Sequence, residues 1–209
     1  MHELPDKYKS NLNSFTFSVI HDNRDNIFNT TRGYVLSMDS EIAESYQTTK
    51  DIFGRLVLKG KYYVPVSLST TLAFSLDAGG ITLFRKSTSI PLNERFYSGG
   101  PNSLRGFNYR KVGPLDDNGN PIGGRYKVVA NLEVRQAIYK FIGGVIFFDF
   151  GNVWRFLKDV KRQPMRSCPG IGLRIATPLG VVRCDYGFNW FPKKGEPSGK
   201  IYFSLGQAF

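Results

Sequence analysis

The chain has 209 residues, 41% hydrophobic and 14% aromatic, with a formal net charge of +11. That length suffices for one domain or a large piece of one. No run approaches the ~18 apolar residues of a spanning helix, which excludes a helical membrane protein but not a barrel, whose strands carry apolar residues on alternate positions only.

The 28 Lys and Arg are scattered. No basic helix and no aromatic-interleaved RNA motif accompanies them, so nucleic acid is not expected as a partner. The charge is assigned to solvated loops and a wet lumen, with anionic lipid head groups or an acidic partner as the sharper alternative. At the start, Met1-His2-Glu3-Leu4-Pro5-Asp6-Lys7 lacks the charged start and apolar core of a signal peptide. For a barrel of an outer membrane, which would carry one, a missing upstream region is expected.

Two-residue alternation dominates the rest of the chain, and helical periodicity is nearly absent. Nine strands are expected at about 12–22, 32–45, 51–64, 66–80, 124–139, 141–154, 167–177, 179–190 and 200–209, with ends uncertain by ~2–4 residues. In the fourth, Leu68, Leu72, Phe74 and Leu76 oppose Ser67, Ser69, Thr71, Ser75 and Asp77. In the fifth, Tyr126, Val128, Ala130, Leu132 and Val134 oppose Lys127, Asn131, Glu133 and Arg135. In the eighth, Val182, Cys184, Tyr186, Phe188 and Trp190 oppose Arg183, Asp185, Gly187 and Asn189. Many of these strands have ten or more residues, the length of a tilted membrane strand (~9–11) rather than of a soluble one (~5–6).

The links alternate in length. Tight ones fall near Pro65, at Tyr139-Lys140 and at Thr177-Pro178-Leu179; longer ones fall at 45–51, 81–123, 155–166 and 191–199. Arg155-Phe156-Leu157-Lys158-Asp159-Val160 allows one helical turn within its loop. Short turns on one rim and long loops on the other indicate an all-β fold, an antiparallel transmembrane β-barrel. The soluble alternative is a β-sandwich, in which the apolar face would be a core.

The link at 81–123 is far too long for an ordinary turn. It contains Glu94-Arg95-Phe96-Tyr97-Ser98-Gly99-Gly100-Pro101-Asn102-Ser103-Leu104-Arg105-Gly106-Phe107. Gly106 lets the backbone turn sharply and approach a wall closely. Parity puts Glu133 and Asp149 on the inward face of the two following strands, provided that Ile142, Ile146, Phe148 and Phe150 meet lipid. A guanidinium entering the lumen would find these two carboxylates, and such charge-assisted bonds fix geometry well. Phe107 is placed to wedge into the wall.

This stretch resembles the loop signature of the BamA-type family, also called the bacterial surface antigen family, in which a hydrophobic-Arg-Gly-Phe tetrad folds back into the barrel. Three further stretches are similar to the family and fall in its order. They are Asp25-Asn26 with Thr31-Arg32-Gly33, Phe147-Phe148-Asp149-Phe150-Gly151-Asn152-Val153-Trp154, and Gly170-Ile171-Gly172-Leu173-Arg174-Ile175-Ala176-Thr177-Pro178-Leu179-Gly180. The terminal Ile201, Phe203, Leu205 and Phe209 share one parity, and an alternating strand ending in an aromatic resembles the sorting signal of bacterial outer-membrane barrels; Gln207 departs from that pattern.

The resemblance implies the tetrad Leu104, Arg105, Gly106 and Phe107 as the loop motif, with Glu133 and Asp149 as its anchors. Residues 1–209 are then the C-terminal part of a larger, sixteen-stranded barrel, without its first strands and its periplasmic repeats. Nine is an odd number, whereas single-chain bacterial barrels have even ones. The implied function is insertion of outer-membrane proteins by lateral strand templating, with Ile201–Phe209 forming one side of the opening seam. The implied partners are membrane lipids and nascent β-barrel clients, with assembly-complex lipoproteins beside them; the implied place is the bacterial outer membrane, or alternatively that of mitochondria or plastids.

Two other functions fit the same motifs: a two-partner secretion pore, and the C-terminal barrel of a patatin-type lipase. No Gly-x-Ser-x-Gly, P-loop or metal-binding pair is present, so no catalytic residue, cofactor or metal is expected in this chain. His2 and His21 have no partner that would suggest a site. Cys168 and Cys184 do not make a disulfide framework. If Ala176 faces Val181, then Cys184 faces Leu173 and Cys168 faces Asn189. That offset is roughly 17 Å at ~3.4 Å per residue, beyond the ~7 Å a disulfide tolerates.

Overall fold

The computed structural model describes residues 11–46, 50–84, 87, 89–178 and 180–209. The Met1–Lys7 segment with His2, the middle of the 45–51 link, and Leu179 lie outside the described residues. Among the described residues nine strands form one antiparallel sheet, and each pairs only with its neighbours in sequence. They are β1 (Asn11–Asp22), β2 (Gly33–Tyr46), β3 (Lys50–Pro65), β4 (Thr70–Phe84), β5 (Tyr126–Tyr139), β6 (Ile142–Trp154), β7 (Arg166–Thr177), β8 (Gly180–Phe188) and β9 (Gly199–Leu205).

The two faces of this sheet invert the usual order of a protein. Ile146, Ile171 and Phe203 are exposed by 67, 58 and 77%, whereas Glu133, Asp149 and Asp185 are fully buried. Charged residues are almost never fully buried unless paired, and large apolar residues are normally inside. Apolar side chains outside and ion pairs inside describe a barrel wall that meets lipid. Leu132, Phe148, Leu173 and Phe188 lie exposed on the same outer face, and Tyr126 and Tyr186 share its parity while half-buried. Among the described residues no second sheet covers them.

The sheet curls. Gln207, in the tail that follows β9, donates to the Asn29 side chain in the β1–β2 turn at 3.3 Å. The tight turns after β3, β5 and β7 share a rim with this β1–β2 turn, and the connections after β2, β4, β6 and β8 share the other; the β2–β3 link, expected at 45–51 among the longer ones, spans only 47–49 between Tyr46 and Lys50 and is shorter than the β1–β2 turn. The β1–β2 turn is itself a built structure. The Asp25 carboxylate accepts the backbone N–H groups of Asn26, Thr31 and Arg32 at 2.9, 3.0 and 3.2 Å. The connection from β4 to β5 does not stand out from the rim. It folds into the concave side and supplies half of an apolar core there: Leu104, Phe107 and Val112 pack with Val129, Val145 and Phe147. Ile90 and Phe96 from the same connection pack with Phe53, Val57 and Ile81.

Three boundaries differ from the sequence expectation by four residues each, and the others by no more than two. The fourth strand starts at Thr70 rather than 66, because Val66 and Ser67 both donate to the Thr70 carbonyl and close a turn. Serine hydroxyls there offer the backbone a local alternative to the ladder; Ser67 Oγ bonds Thr70 Oγ1 at 2.9 Å. The same strand continues through Ile81 to Phe84, so the long loop begins after 84 rather than at 81. The last strand stops at Leu205 rather than 209. In the 155–166 link, Leu157–Lys161 forms a short 3-10 helix.

In the β7–β8 hairpin Ala176 pairs with Val181 and Leu173 with Cys184. Cys168 pairs with Asp149 on the inner face, and both cysteines are free. Intact-mass measurement of the folded, non-reduced protein is therefore expected to find two free thiols. A Cys168–Cys184 bond would require a slip of about 17 Å along the hairpin and would overturn the register.

Candidate functional site

The inward-folding loop tightens as it approaches the wall. Gly99 and Gly100 both have positive φ, and the Gly100 and Leu104 backbones close a turn, Gly100 N–H donating to Leu104 O at 3.1 Å. This turn presents Arg105 at the apex, with its residue fully buried. The loop backbone then runs against β8. A Cβ on Gly187 would lie 2.6 Å from the Arg105 carbonyl carbon, and one on Gly106 would lie 2.9 Å from the Phe188 backbone. Only two glycines facing each other allow this approach.

Arg105 makes a fork on Asp149. Its Nε donates to Oδ2 at 2.9 Å and its Nη2 to Oδ1 at 2.7 Å, while its own backbone N–H donates to Oδ2 at 3.0 Å. Nη1 donates to Glu133 Oε1 at 2.6 Å and lies 3.5 Å from Asp185 Oδ2. The guanidinium carbon sits 3.4 Å from the centre of the Phe147 ring. Such a desolvated cation–π contact contributes about 2 kcal/mol.

Around this centre the charges alternate. Arg135 Nε donates to Glu133 Oε2 at 2.7 Å. Arg174 Nη1 donates to Asp185 Oδ1 at 2.5 Å, and Arg183 Nη1 to Asp185 Oδ2 at 3.2 Å. Asn131 Nδ2 is shared between Asp149 Oδ1 at 2.8 Å and the Ser103 carbonyl at 2.6 Å. Arg183 also reaches back to the loop, through the Pro101 carbonyl at 3.0 Å and the Asn102 side chain. Phe107 is buried, with the Arg166 guanidinium carbon 5.0 Å from its ring centre, and its carbonyl accepts the Tyr202 hydroxyl of β9 at 2.6 Å.

The structure thus brings Leu104, Arg105, Gly106 and Phe107 together with Glu133 and Asp149. The sequence reading did not single out Asp185, Arg174, Arg183, Asn131 or Tyr202. Their inward parity was visible, but their convergence on Arg105 depends on the curl of the sheet.

The terminal residues separate. Ile201, Phe203 and Leu205 face outward. Phe209 does not share that face. The chain turns at Gly206, with φ 82° and its N–H donating to the Val181 carbonyl at 2.7 Å. Phe209 then lies within the concave side, its ring centre 5.2 Å from the Arg135 guanidinium carbon and its carbonyl 3.3 Å from Arg135 Nη2. Parity orders side chains only while the backbone stays extended, and the Gly206 turn ends that. Among the described residues no group of three or more His, Cys, Asp or Glu could hold a metal ion.

A lipid-facing sheet with a loop arginine bonded to carboxylates on its inner wall calls for comparison with known barrels, and residues 3–209 match the Omp85 superfamily domain. The chain belongs to that superfamily. Among Omp85 relatives it is 34% identical over 137 residues to the outer membrane protein assembly factor BamA of Nitratidesulfovibrio vulgaris, covering 63% of this chain and 17% of the relative. It is 31% identical over 122 residues to the chloroplastic outer envelope protein 80 of Arabidopsis thaliana, covering 54% and 15%. A SAM50-like protein of Drosophila melanogaster is 29% identical over 168 residues, covering 76% and 36%.

The crystal structure of BamA from Haemophilus ducreyi lacking POTRA domains 1–3 superposes with a TM-score of 0.76 at 19% identity, over 92% of this chain and 42% of that one. The fold is therefore a portion of a BamA-type barrel, and the chain spans less than half the length of each of these relatives. Its place is an outer membrane, bacterial for the assembly-factor relatives and the chloroplast envelope for the outer envelope protein.

Removing Arg105 leaves buried carboxylates without their central cation, a loss that typically costs about 3–5 kcal/mol. Arg95 makes hydrogen bonds to the Ile90 and Ile122 carbonyls at 2.9 and 3.0 Å within the loop, a role worth about 1–3 kcal/mol. Thermal unfolding of the full-length protein in detergent is expected to place Arg105→Ala below Arg95→Ala, with Arg105→Lys between wild type and Arg105→Ala. Equal stability of Arg105→Ala and wild type would remove the anchoring role.

Proposed function

We propose that this chain forms the seam-bearing part of an outer-membrane protein assembly factor. In this reading it inserts client β-barrels by pairing a client strand with its own last strand. The nine strands are then part of a larger closed sheet, of sixteen strands, with periplasmic repeats elsewhere in the protein. The partners are the surrounding lipids, nascent barrel strands and accessory lipoproteins of an assembly complex.

One observation supports the reading most directly, the character of β9. Its ladder to β8 has seven residue pairs, from Val182–Leu205 to Phe188–Gly199, against fourteen between β2 and β3. The ladder stops at the Gly206 turn, where the tail leaves for the lumen. Beyond β9 no described strand takes up the other edge, and an edge row of N–H and C=O groups templates a further strand. The outward side chains Ile201, Phe203 and Leu205 would meet hydrocarbon, as an incoming membrane strand also must. The loop motif is connected to this edge through the Tyr202–Phe107 bond, which gives the anchored loop a means to hold β9 in place. The work is strand exchange in a membrane, so the reading calls for no cofactor and no catalytic residue.

A photo-crosslinker placed at Ile201 or Phe203 in the full-length protein should capture the terminal strand of a client barrel during its assembly in vitro. The same group at Ile171, which faces lipid within the interior of the sheet, should not. Equal capture at Ile171 would reject templating by β9.

A further inference from the structure

On the lipid-facing side, near the rim that carries the long loops, two rows of side chains cross the sheet. Leu56, Gly80, Tyr126 and Trp154 stand side by side in the ladder, as do Leu58, Ala78, Val128 and Asn152. Gly80 and Ala78 leave a trough between the leucines of β3 and the Tyr126 and Val128 side chains of β5.

The connection after β6 does not rise away from the rim. It folds back over the outer face. Trp154 Nε1 donates to the Gln163 carbonyl at 2.8 Å, and Asn152 Nδ2 to the Pro164 carbonyl at 2.9 Å, which buries both side chains. The 3-10 helix Leu157–Lys161 is thereby held over the trough, and its Leu157 and Val160, both exposed, line it from above. The result is a groove of about 310 Å³, walled almost wholly by carbon.

The same connection carries Arg155, Lys158, Lys161 and Arg162, all exposed, with Arg155 and Lys158 lying over the Phe156 ring. The one carboxylate among them, Asp159, accepts the Phe156 N–H at 3.0 Å and keeps its charge, so the cations remain in excess. An apolar groove beside four exposed cations, at a membrane rim, matches the two halves of an anionic lipid. A peptide is the poorer fit. β3, β4 and β5 are paired on both sides, so an incoming backbone would find no ladder to join in hydrocarbon.

We infer that this groove is a selective site for one anionic phospholipid of the surrounding membrane. An acyl chain lies in the trough over Gly80 and Ala78, and the phosphate sits on Lys158, Lys161 and Arg162. The trough is one strand wide and takes one chain. The cations are confined to one turn, which suits a small phosphodiester head group.

The test uses the full-length protein in vesicles of mixed phosphatidylglycerol and phosphatidylcholine, with spin-labelled lipid to measure the immobilised fraction of each. Phosphatidylglycerol is expected to be immobilised in preference. Lys158→Gln with Lys161→Gln should lower that preference by about fivefold per lysine at low salt, whereas Lys193→Gln with Lys194→Gln, on the neighbouring long loop, should leave it unchanged. Gly80→Leu fills the trough and should release the immobilised phosphatidylglycerol. A Cβ there meets nothing nearer than Tyr126 Cδ1 at 3.7 Å, so the barrel should still fold, as the shift of the unheated band on a gel will show. Equal immobilisation of the two lipids, or an equal effect of the two lysine pairs, overturns the site. Stronger binding of a phosphorylated glycolipid than of phosphatidylglycerol overturns the assigned head group.

Discussion

A guanidinium inside a lipid-bounded wall must be paired, because an isolated buried charge costs far more than any single contact returns. Arg105 meets that constraint with Asp149 and Glu133 directly and Asp185 at 3.5 Å. These carboxylates are in turn shared with Arg135, Arg174 and Arg183. No member of the cluster is satisfied alone, so the inner wall and the loop determine each other. A buried network of this kind contributes little net stability against an apolar core of the same shape. What it provides here is a single position for the loop. The fork on Asp149 fixes the plane of the guanidinium, and the Arg105 backbone N–H fixes the chain that carries it.

From that fixed point the rest of the concave side follows. With Arg105 in place, Leu104 and Phe107 fall among Val129, Val145 and Phe147 and complete an apolar layer that the sheet alone lacks. Gly106 and Gly187 set how near the loop comes to β8, and Tyr202 ties the same loop to β9. The loop therefore touches the last three strands as well as the two that carry Glu133 and Asp149. Arg135 extends the cluster toward the end of the chain, lying between the Tyr63 and Phe209 rings at 5.5 and 5.2 Å. Membership of the Omp85 superfamily gives this arrangement its setting, an outer membrane, and the short ladder of β9 gives the assembly reading its physical basis.

Much of the wall was legible in the chain. Alternation at Tyr126–Val134 and Val182–Trp190 named the lipid face correctly, because a period of two leaves one face for hydrocarbon and the other for water. The β7–β8 register followed from the tight link at Thr177-Pro178-Leu179, since a short hairpin allows few registers. The polar parity of Glu133, Asp149, Arg135, Arg183 and Asp185 was visible in the same way. Where local hydrogen bonds compete with the ladder, alternation misleads: Ser67 and Leu68 continue the pattern of β4 but belong to its turn, and Ile81–Phe84 continue the strand into what reads as loop.

The sequence by itself determined the period, the faces, the strand order and the loop motif, because these depend on neighbours along the chain or directly across one hairpin. Only the tertiary structure decided which inward residues meet. Arg105 lies 28 residues from Glu133 and 44 from Asp149 in sequence, and Asp185 is more distant still. Their meeting depends on the curvature of nine strands and on how deeply the loop enters, neither of which a period of two encodes. The same holds for Phe209, whose parity assigned it to lipid until one glycine with positive φ turned it toward Arg135.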